Sequence, residues 1–581
     1  MSHEKQPVRA LPAFSRMLRL TKPNRADGIA FVILAGLALL VFRGAEGAVE
    51  PLTKLHIEPV TLDPAYLPYY ALRTVIRMFA ALVASTLFTL VVATLAARSR
   101  RAGQIIVPAL DILQSVPILG FLTFTVTFFM GLFPGNILGV ELASVFAIFT
   151  SQAWNMAFSF YQSLRAIPTD LDEVSQGFAL SPVRRFLRLD LPFATPALVW
   201  NAMMSMSGGW FFVVASEAIT VGHTTVTLPG IGSWLALAIQ HQDFRAIALA
   251  VLMMGVVIIL YDQLFFRPVV AWADRFRFEQ TASNNRPGSW AYDLLRRTRL
   301  LPVLFAPVAG VGQLLLALEP AASAARPART PAPNPIVERI WQVAILLAVG
   351  AAIWWSGRYI LATLGLADIA EAFLLACLTM LRVVVLIALA SLIWVPIGVW
   401  IGLNPAWAER VQPVAQFLAA FPANVLFPFA VIAIVHWHLS PDIWLSPLMI
   451  LGTQWYILFN VIAGASAIPN DLREVADMFG VRGWPWWRQV ALPGIFPFYV
   501  TGALTASGGS WYASIVAEAV SWGSQHLEAH GLGTYIAKAT TAGDYPRVAL
   551  GIAVMSLFVL GFNRLVWRPM YAFAERRLRL T

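Results

Sequence analysis

The sequence predicts an all-α polytopic membrane protein of about twelve spans, arranged as two parallel six-helix repeats. Three observations predict this: an apolar composition, long uncharged stretches and an internal repeat. Hydrophobic residues make up 58% of the 581 residues and charged residues 12%, with a mean hydropathy of +0.69. Such a chain has too few charges to cover a soluble globule of its size. The net charge of +10 comes from basic residues between apolar runs, a pattern typical of membrane anchoring and not of nucleic-acid binding.

Uncharged stretches are long enough to cross the membrane, since a helix needs about 20 residues to span roughly 30 Å of hydrocarbon. In the first half they centre on 28–42, 78–97, 112–134, 142–164, 195–216 and 246–261; in the second, on 340–357, 383–403, 414–435, 443–464, 496–517 and 548–563. Several contain proline, as at Pro117, Pro422 and Pro428, which membrane helices tolerate.

Lysine and arginine indicate the orientation. They concentrate in the N-terminal arm, at 98–101, in the 165–188 loop and in the 267–299 segment. Basic loops stay in the cytoplasm, so we expect these four segments and both chain ends to be cytoplasmic. The arm precedes an apolar segment without a small-residue cleavage site, which predicts a retained span and not a signal peptide.

The predicted domains are a cytoplasmic arm (1–27), a first membrane domain (28–279), a linker (280–335) and a second membrane domain (336–581). The linker begins polar and ends rich in proline and alanine, and it contains an apolar run at 300–317. A span there would invert the second half and place its basic 473–488 loop outside. We therefore expect an interfacial or re-entrant segment.

The internal repeat is the strongest feature of the sequence. From about residue 152 the halves align at an offset of 301, which pairs Trp154 with Trp455 and Glu217 with Glu518. Upstream the offset is 305, as for Pro117 and Pro422, so a four-residue length difference lies between the third and fourth spans. A parallel repeat has its pseudo-two-fold axis along the membrane normal, the natural place for a pathway.

A short amphipathic helix is predicted after the fourth span of each half. It begins at Asp170 in one half and at Asp471 in the other, each a cap residue followed three positions later by a glutamate, Glu173 or Glu474. An apolar stripe follows at positions i, i+3 and i+7: Leu171, Val174 and Phe178, then Leu472, Val475 and Phe479. The stripe either packs on its own membrane domain or docks into a partner, and matched duplication favours two equivalent partners.

This loop resembles the EAA loop of binding-protein-dependent ABC importer permeases, in which a glutamate precedes a glycine by six positions and Leu-Pro follows. The second copy matches at Glu474, Gly480 and Leu492-Pro493. The first copy has Leu191-Pro192 but Ala179 at the glycine position. Flanking Trp, Ser-Gly-Gly and Arg-Pro elements resemble the nitrate/sulfonate/taurine branch, over residues 70–278 and 375–577.

The resemblance implies a type I importer fold in the inner membrane of a bacterium. The two loop helices would seat in two ABC ATPase subunits, which bind ATP and Mg, and a periplasmic or lipid-anchored binding protein would deliver the solute. The implied substrate is a small anion: nitrate, bicarbonate, a sulfonate or taurine, or an organic carboxylate. No cofactor and no catalytic residue are expected on this chain.

Two other classes of protein compete with this interpretation. A secondary transporter or channel with a parallel repeat would place ionisable couplers in mid-membrane, where the spans here carry few. A membrane-embedded enzyme would need a nucleophile–base cluster or a metal constellation, and neither is apparent.

Pathway candidates lie in the fifth spans. Gly208, Gly209 and Trp210, and Gly508, Gly509 and Trp511, belong to Ser-Gly-Gly segments that favour close helix packing, with gating by the tryptophans as the alternative. Glu217 and Glu518 are costly in lipid unless paired or facing water. Arg77 and Arg382 either attract an anion or snorkel to the membrane edge.

No metal site is expected. The single cysteine, Cys377, excludes a cysteine-based zinc site and an intramolecular disulfide. Six histidines fall in predicted outer loops, but none has metal-ligand spacing with carboxylate support. They are His223, His241, His436, His438, His526 and His530.

Overall fold

The computed structural model describes residues 24–46, 50–51, 60–113, 118–178, 180–221, 224–276, 288–300, 335–523 and 525–577. Most of the N-terminal arm, Pro117, Ala179, His223 and the apolar run of the linker beyond residue 300 lie outside the described residues.

The first half contains twelve described α-helices and one β-hairpin. They are α1 (Arg25–Glu46), α2 (Leu67–Arg98), α3 (Arg100–Leu113), α4 (Ile118–Leu132), α5 (Ile137–Arg165), α6 (Thr169–Gly177), α7 (Pro182–Arg185), α8 (Leu191–Glu217), β1 (Ala218–Val221), β2 (Thr224–Thr227), α9 (Ile231–Gln240), α10 (Phe244–Tyr261), α11 (Arg267–Ala273) and α12 (Trp290–Arg297).

The second half repeats this order. Its described elements are α13 (Pro335–Leu361), α14 (Leu366–Gly402), α15 (Pro405–Ala420), α16 (Phe427–His436), α17 (Pro441–Trp444), α18 (Gln454–Ser466), α19 (Asn470–Met478), α20 (Trp484–Trp486), α21 (Leu492–Ala517), β3 (Ala519–Trp522), β4 (Gln525–Glu528), α22 (Leu532–Ala542), α23 (Tyr545–Phe562) and α24 (Arg568–Arg577).

The described residues include nine helices long and apolar enough to cross a membrane, or ten if a bent pair counts as one span. The predicted polytopic all-α class is confirmed, but some of the twelve apolar segments are interrupted. The predicted third spans are divided between α3 and α4 and between α15 and α16. The fourth span of the second half bends by 45° between Pro441–Met449 and Gln454–Ser466.

A two-stranded antiparallel hairpin follows the fifth span of each half, a feature that we did not predict. Ala218 pairs with Thr227 and Val221 with Thr224; in the second half Ala519 pairs with Glu528. A signal was available, because the first hairpin is a run of β-branched residues interrupted by Gly-His. The hairpins lie at the same register of the repeat, 301 residues apart.

Among the described residues, four π-helical turns lie directly before prolines, and they form two pairs whose members are 301 residues apart. In each, the N–H of the residue before proline donates to the carbonyl five residues earlier, as from Leu191 to Phe186 and from Leu492 to Trp487. The same turn lies before Arg267-Pro268 and Arg568-Pro569. Because proline crowds the turn before it, the wider π turn lets the helix continue into the next element.

By internal contacts the chain divides into two compact units. One comprises Met1–Ala45, Ser159–Met203 and Ile259–Ile340; the other comprises Glu46–Phe158, Met204–Ile258 and Trp341–Thr581. The core of the larger unit includes three fully buried tryptophans, Trp210, Trp234 and Trp511. It also contains both sites at which arginine, glutamate and threonine meet, described next.

Candidate functional site

The predicted loop helices exist, but their N-terminal cap positions lie two residues earlier than expected. We predicted Asp170 and Asp471 as cap residues. This detail is wrong, because Pro168 and Pro469 occupy the cap positions and no side chain bonds there. A proline with extended backbone ends the preceding segment by itself. Asp170 and Asp471 lie in the first turn, where their charge favours the helix dipole.

The apolar stripe of each loop helix is largely uncovered. Phe178 is 75% exposed and Phe479 80%, and Val174 and Val475 are about half exposed. The helices are held to their own domain through a smaller residue, since Ser175 and Ala476 are the buried positions. Each loop helix therefore packs against its own membrane domain through one small residue, and most of its apolar stripe stays free to contact a partner protein.

The second loop helix ends in a left-handed glycine. Gly480 has φ +66° and its N–H donates to the carbonyl of Asp477. This is the C-terminal stop for which glycine is favoured, because a Cβ is strained in this conformation. The equivalent Ala179 lies outside the described residues.

Each loop helix is braced differently. In the first copy Arg185 forms an ion pair with Asp172 of the helix, and its Nε lies 3.6 Å from Asp190 Oδ1, just before the fifth span. In the second copy the position of Asp172 is taken by Arg473, which donates to the carbonyl of Leu403 at the end of α14. Pro192 and Pro493 then open the fifth spans directly after the π turns. Each loop helix is thus tied to a long span.

Arg77 lies in a buried cluster that we call the Arg77 cluster: Thr74, Arg77, Glu141, Glu217 and Gly232. One oxygen of Glu217 accepts from Thr74 Oγ1 at 2.6 Å and from Arg77 at 2.7 Å, and the other accepts from the N–H of Gly232 at 2.7 Å. Arg77 also makes two bonds to Glu141, at 2.6 and 2.7 Å. A second arginine, Arg73, reaches Glu141 at 2.5 Å.

The repeat places the same arrangement in the second half, the Arg382 cluster: Thr379, Arg382, Asp442, Glu518 and Gly533. Glu518 accepts from Thr379 at 2.8 Å, from Arg382 at 3.0 Å and from the N–H of Gly533 at 2.8 Å. Arg382 also donates to Asp442 at 3.2 Å.

Equivalent residues of the two clusters are 305 residues apart when they precede the third span and 301 residues apart from the fourth span onward. The clusters therefore confirm both offsets of the internal repeat. Sequence reasoning left a salt bridge open for Glu217 and Glu518 but missed Thr74 and Thr379, which donate to these two carboxylates. It also missed Glu141, which accepts from Arg77. A signal was present, because Thr74 and Thr379 share the offset of 305 and Glu141 and Asp442 the offset of 301.

The arginines are therefore committed to internal carboxylates. Arg77 is 2% exposed and Glu217 is fully buried, and in the first cluster two arginines face two glutamates. A buried charge is tolerated when it is paired and hydrogen-bonded. The arrangement ties the second span, the fourth span, the fifth span and the helix after the hairpin together, and it leaves no net positive charge to attract an anion.

The Ser-Gly-Gly segments lie at close helix contacts. A Cβ on Gly209 would lie 3.2 Å from Gln152 Nε2, and one on Gly509 would lie 2.5 Å from Thr453 Cγ2. Trp210 is fully buried and Trp511 is 1% exposed, with its ring 6.4 Å from that of Phe558. These positions favour packing over gating by the tryptophans. For Gly508, in contrast, no atom of a described residue outside its own helix backbone and chain neighbours lies within 4 Å of a built Cβ.

The described residues contain no group of three or more His, Cys, Asp or Glu side chains able to hold a metal ion. His530 instead contacts Asp442 through its ring and its backbone N–H.

Duplicated spans, paired charge clusters and uncovered loop helices define a membrane protein of two fused permease-like halves. A family model described as the binding-protein-dependent transport system inner membrane component matches twice, over residues 69–267 and 394–579. The two matches cover more than half of the chain. The chain belongs to this family of transport permeases, and it is a multi-pass membrane protein.

Curated relatives are similar over shorter stretches. The nitrate import permease protein NrtB of Leptolyngbya laminosa is 26% identical over 185 residues, 32% of this chain and 63% of the relative. The bicarbonate transport system permease protein CmpB of Synechococcus elongatus is 29% identical over 133 residues, which are 23% of this chain and 46% of the relative. The glycine betaine/proline betaine transport system permease protein ProW of Escherichia coli is 31% identical over 137 residues, which are 23% of this chain and 36% of the relative. The chain covers less than two thirds of each relative's length.

Proposed function

We propose that this chain is the membrane permease of an ATP-driven importer in the inner membrane of a bacterium, with both chain ends in the cytoplasm. Residues 28–279 and 336–581 form its two permease domains. Two ABC ATPase subunits carry the ATP and Mg and dock on the loop helices α6 and α19. An extracytoplasmic binding protein, periplasmic or lipid-anchored, delivers the solute.

One observation supports this proposal most. Two helices at one register of the repeat expose the same apolar stripe, and each is tied to a long span through a π turn and a proline. An exposed apolar helix face is suited to a groove on a partner. A stiff connection to the span lets a movement of the partner rock that half of the molecule.

The test uses the full chain coexpressed with an ABC ATPase from the same organism that copurifies with it. The double variant Phe178→Asp and Phe479→Asp places charges in the two apolar stripes. We expect the ATPase to be lost on purification and ATP-dependent uptake to fall to background.

Gln176→Asp serves as the control for an added charge, because position 176 lies opposite the stripe and the equivalent position of the second copy already holds Asp477. It also removes the hydrogen bond from Gln176 to Asp172, so it controls for a disturbed helix as well. Full ATP-dependent uptake by the double variant would contradict ATPase docking. Uptake that proceeds without ATP would favour a secondary transporter or channel.

For the substrate we propose a small oxyanion, because relatives are named for nitrate and bicarbonate import and the sequence resembles the branch that also includes sulfonates and taurine. The relative named for betaines defines the competing class, a zwitterion. Uptake of labelled nitrate, bicarbonate, an alkanesulfonate and glycine betaine distinguishes the two classes; taurine is not used for this purpose, because its ammonium and sulfonate groups make it a zwitterion. Binding of the same compounds to the soluble receptor provides an independent check.

A further inference from the structure

The start of the first span is fastened to the end of the linker helix α12. One carboxylate oxygen of Asp27 accepts from the backbone N–H groups of Arg299 and Leu300, both at 2.8 Å. The side-chain amide of Asn24 donates to the carbonyl of Arg297 at 2.7 Å. We call this arrangement the Asp27 clamp. It fixes the backbone at the end of α12 against the start of α1.

The clamp lies at the boundary of the membrane. Residues Arg25–Arg43 are long and apolar enough to cross it, so α1 enters the membrane at the clamp. α12 also contacts α11, which belongs to the apolar helical stretch Phe244–Phe276 that contains the sixth span. α12 itself has 8 residues, and its length of about 12 Å is too short to cross the hydrocarbon. It therefore lies where two spans reach the level of the lipid headgroups.

Protein covers only part of the apolar side of α12. Ala291 is buried, whereas Trp290 is 54% exposed and Leu295 is 40% exposed. Arg297 is also exposed, and because it follows Trp290 by seven residues, it lies on the same side of the helix. An aromatic ring beside a long basic side chain suits the membrane interface, where the ring meets the acyl chains and the guanidinium reaches the headgroups.

The clamp gathers exposed arginines that have no carboxylate partner of their own. Arg25, Arg297 and Arg299 are exposed, and none of the three forms an ion pair with another residue that the structure describes. Residues 24–27 and 290–300 together carry four arginines and two aspartates. The surface formed by the clamp and α12 is therefore positive, and its guanidinium groups are available to an anion.

We propose that an anionic phospholipid binds at this surface, with its phosphate on Arg297 and Arg299, assisted by Arg25, and with an acyl chain along Trp290. Guanidinium groups bind phosphate oxygens through paired N–H bonds. Free phosphate offers the same oxygens, but the position at a membrane boundary and the uncovered apolar side chains fit a lipid. The bound lipid holds the linker between the two membrane domains at the membrane surface. This site is separate from the loop helices and does not depend on an ATPase.

Quenching of a fluorophore beside α12 measures the preference for lipid. The full chain with Cys377→Ser is labelled at Gly288→Cys, where a Cβ would meet no described residue within 4 Å beyond its chain neighbours. Vesicles of phosphatidylcholine contain a fixed fraction of either dibrominated phosphatidylglycerol or dibrominated phosphatidylcholine. A basic side chain near an anionic surface contributes about fivefold to binding, or about 1 kcal/mol. The apparent association constant of phosphatidylglycerol is therefore expected to exceed that of phosphatidylcholine at least about tenfold.

The double variant Arg297→Gln and Arg299→Gln is expected to abolish this preference. Arg564→Gln with Arg576→Gln removes the same charge from two exposed arginines of the second half and is expected to keep it. Equal quenching by both lipids in the chain with all its arginines, or an equal loss in both double variants, would refute the site. Excess inorganic phosphate, with the ionic strength matched by chloride, is expected to leave the preference unchanged. Its loss under phosphate would show that the site takes free phosphate and would overturn the assignment to a lipid.

Two variants of Asp27 distinguish a built site from a diffuse attraction to basic residues. Asp27→Ala and Asp27→Asn both remove one negative charge, but only asparagine keeps a carbonyl oxygen that can accept the two backbone N–H bonds. Diffuse attraction predicts the same, slightly stronger preference for phosphatidylglycerol in both. The proposed site predicts that Asp27→Asn keeps the preference and that Asp27→Ala lowers it about fivefold, as for the loss of one arginine. A preference in Asp27→Ala that equals or exceeds that in Asp27→Asn would contradict a site built by the clamp.

Discussion

At the residue scale, the two arginine clusters share one arrangement but differ in how well the loss of one charged partner can be compensated. In the Arg77 cluster two arginines oppose two glutamates, and all four side chains are at most 8% exposed. In the Arg382 cluster Leu378 takes the place of Arg73, and Asp442 is 43% exposed. Water can therefore compensate for a lost partner in the second half but not in the first.

Glu217→Ala is expected to destabilise the protein more than Glu518→Ala. The first change leaves Arg73 and Arg77 with one carboxylate, and an uncompensated buried charge costs about 3–5 kcal/mol. The second leaves Arg382 paired with Asp442, so the loss is expected to be clearly smaller. Thermal unfolding of both variants in one detergent measures the difference. Equal shifts in Tm would mean that the clusters do not carry the proposed charge balance.

At the element scale, the two loop helices depend on how each is ended. Gly480 adopts φ +66°, and a Cβ there would meet no atom of the described part of the chain within 4 Å, apart from its own chain neighbours. Gly480→Ala is therefore expected to cost only the strain of the left-handed conformation, about 1–2 kcal/mol. Hydrogen exchange of the amides of 470–480 is expected to accelerate several-fold to about thirtyfold.

Gly177→Ala is the matched control in the other loop helix. Gly177 is the last residue of α6, its φ is not positive, and a Cβ there would meet no described residue within 4 Å beyond its own helix and chain neighbours. Alanine is therefore expected to leave exchange unchanged or to slow it. Faster exchange in this variant too would mean that the glycine conformation is not what holds the end of the helix.

Much of the element order could be predicted from the sequence, because membrane spans need long apolar runs and the internal repeat presents each run and each loop motif once in each half. The amphipathic helices after the fourth spans were found because Leu472, Val475 and Phe479 recur at helical spacing. Their exact start was missed, since Pro469 acts through backbone geometry and not through a capping side chain. The bend before Gln454 was also missed, because an apolar run does not record where its helix is interrupted.

The partners of the buried charges were harder to infer. Glu217 and Arg77 are 140 residues apart in the chain, and sequence spacing says nothing of contacts at that range. The repeat, with its offset of 305 in this region, does relate Thr74 to Thr379. That relation identifies equivalent positions but does not predict which residues they contact.

At the scale of the whole molecule, the halves meet where the hairpins lie. The ring of Phe244 from the first half lies 5.0 Å from that of Trp522 and 6.1 Å from that of Phe429. Gln242 donates to the carbonyl of Trp522 at 3.4 Å, and the N–H of Gly523 donates to Ile239 at 3.3 Å. Gln242 has φ +55° where the repeat-related residue is Gly543 at +70°. Such strain in a non-glycine residue is held in place by its surroundings and is commonest at functional positions.

If the halves rock during transport, these contacts must open in each cycle. A Cβ on Gly523 would lie within 3 Å of Gln242 side-chain atoms, so Gln242→Cys and Gly523→Cys together, with Cys377→Ser, are expected to form a disulfide under mild oxidation. Because Gly523 has φ +59°, a side chain there is strained, and the Gly523→Cys single variant is first measured for its own uptake rate. Oxidation is expected to reduce ATP-dependent uptake at least tenfold, and dithiothreitol to restore it. The single-cysteine variants should be insensitive to oxidation. A fully cross-linked protein that transports at the wild-type rate would show that this contact does not move, and the opening that admits the solute would then have to lie elsewhere along the junction of the halves.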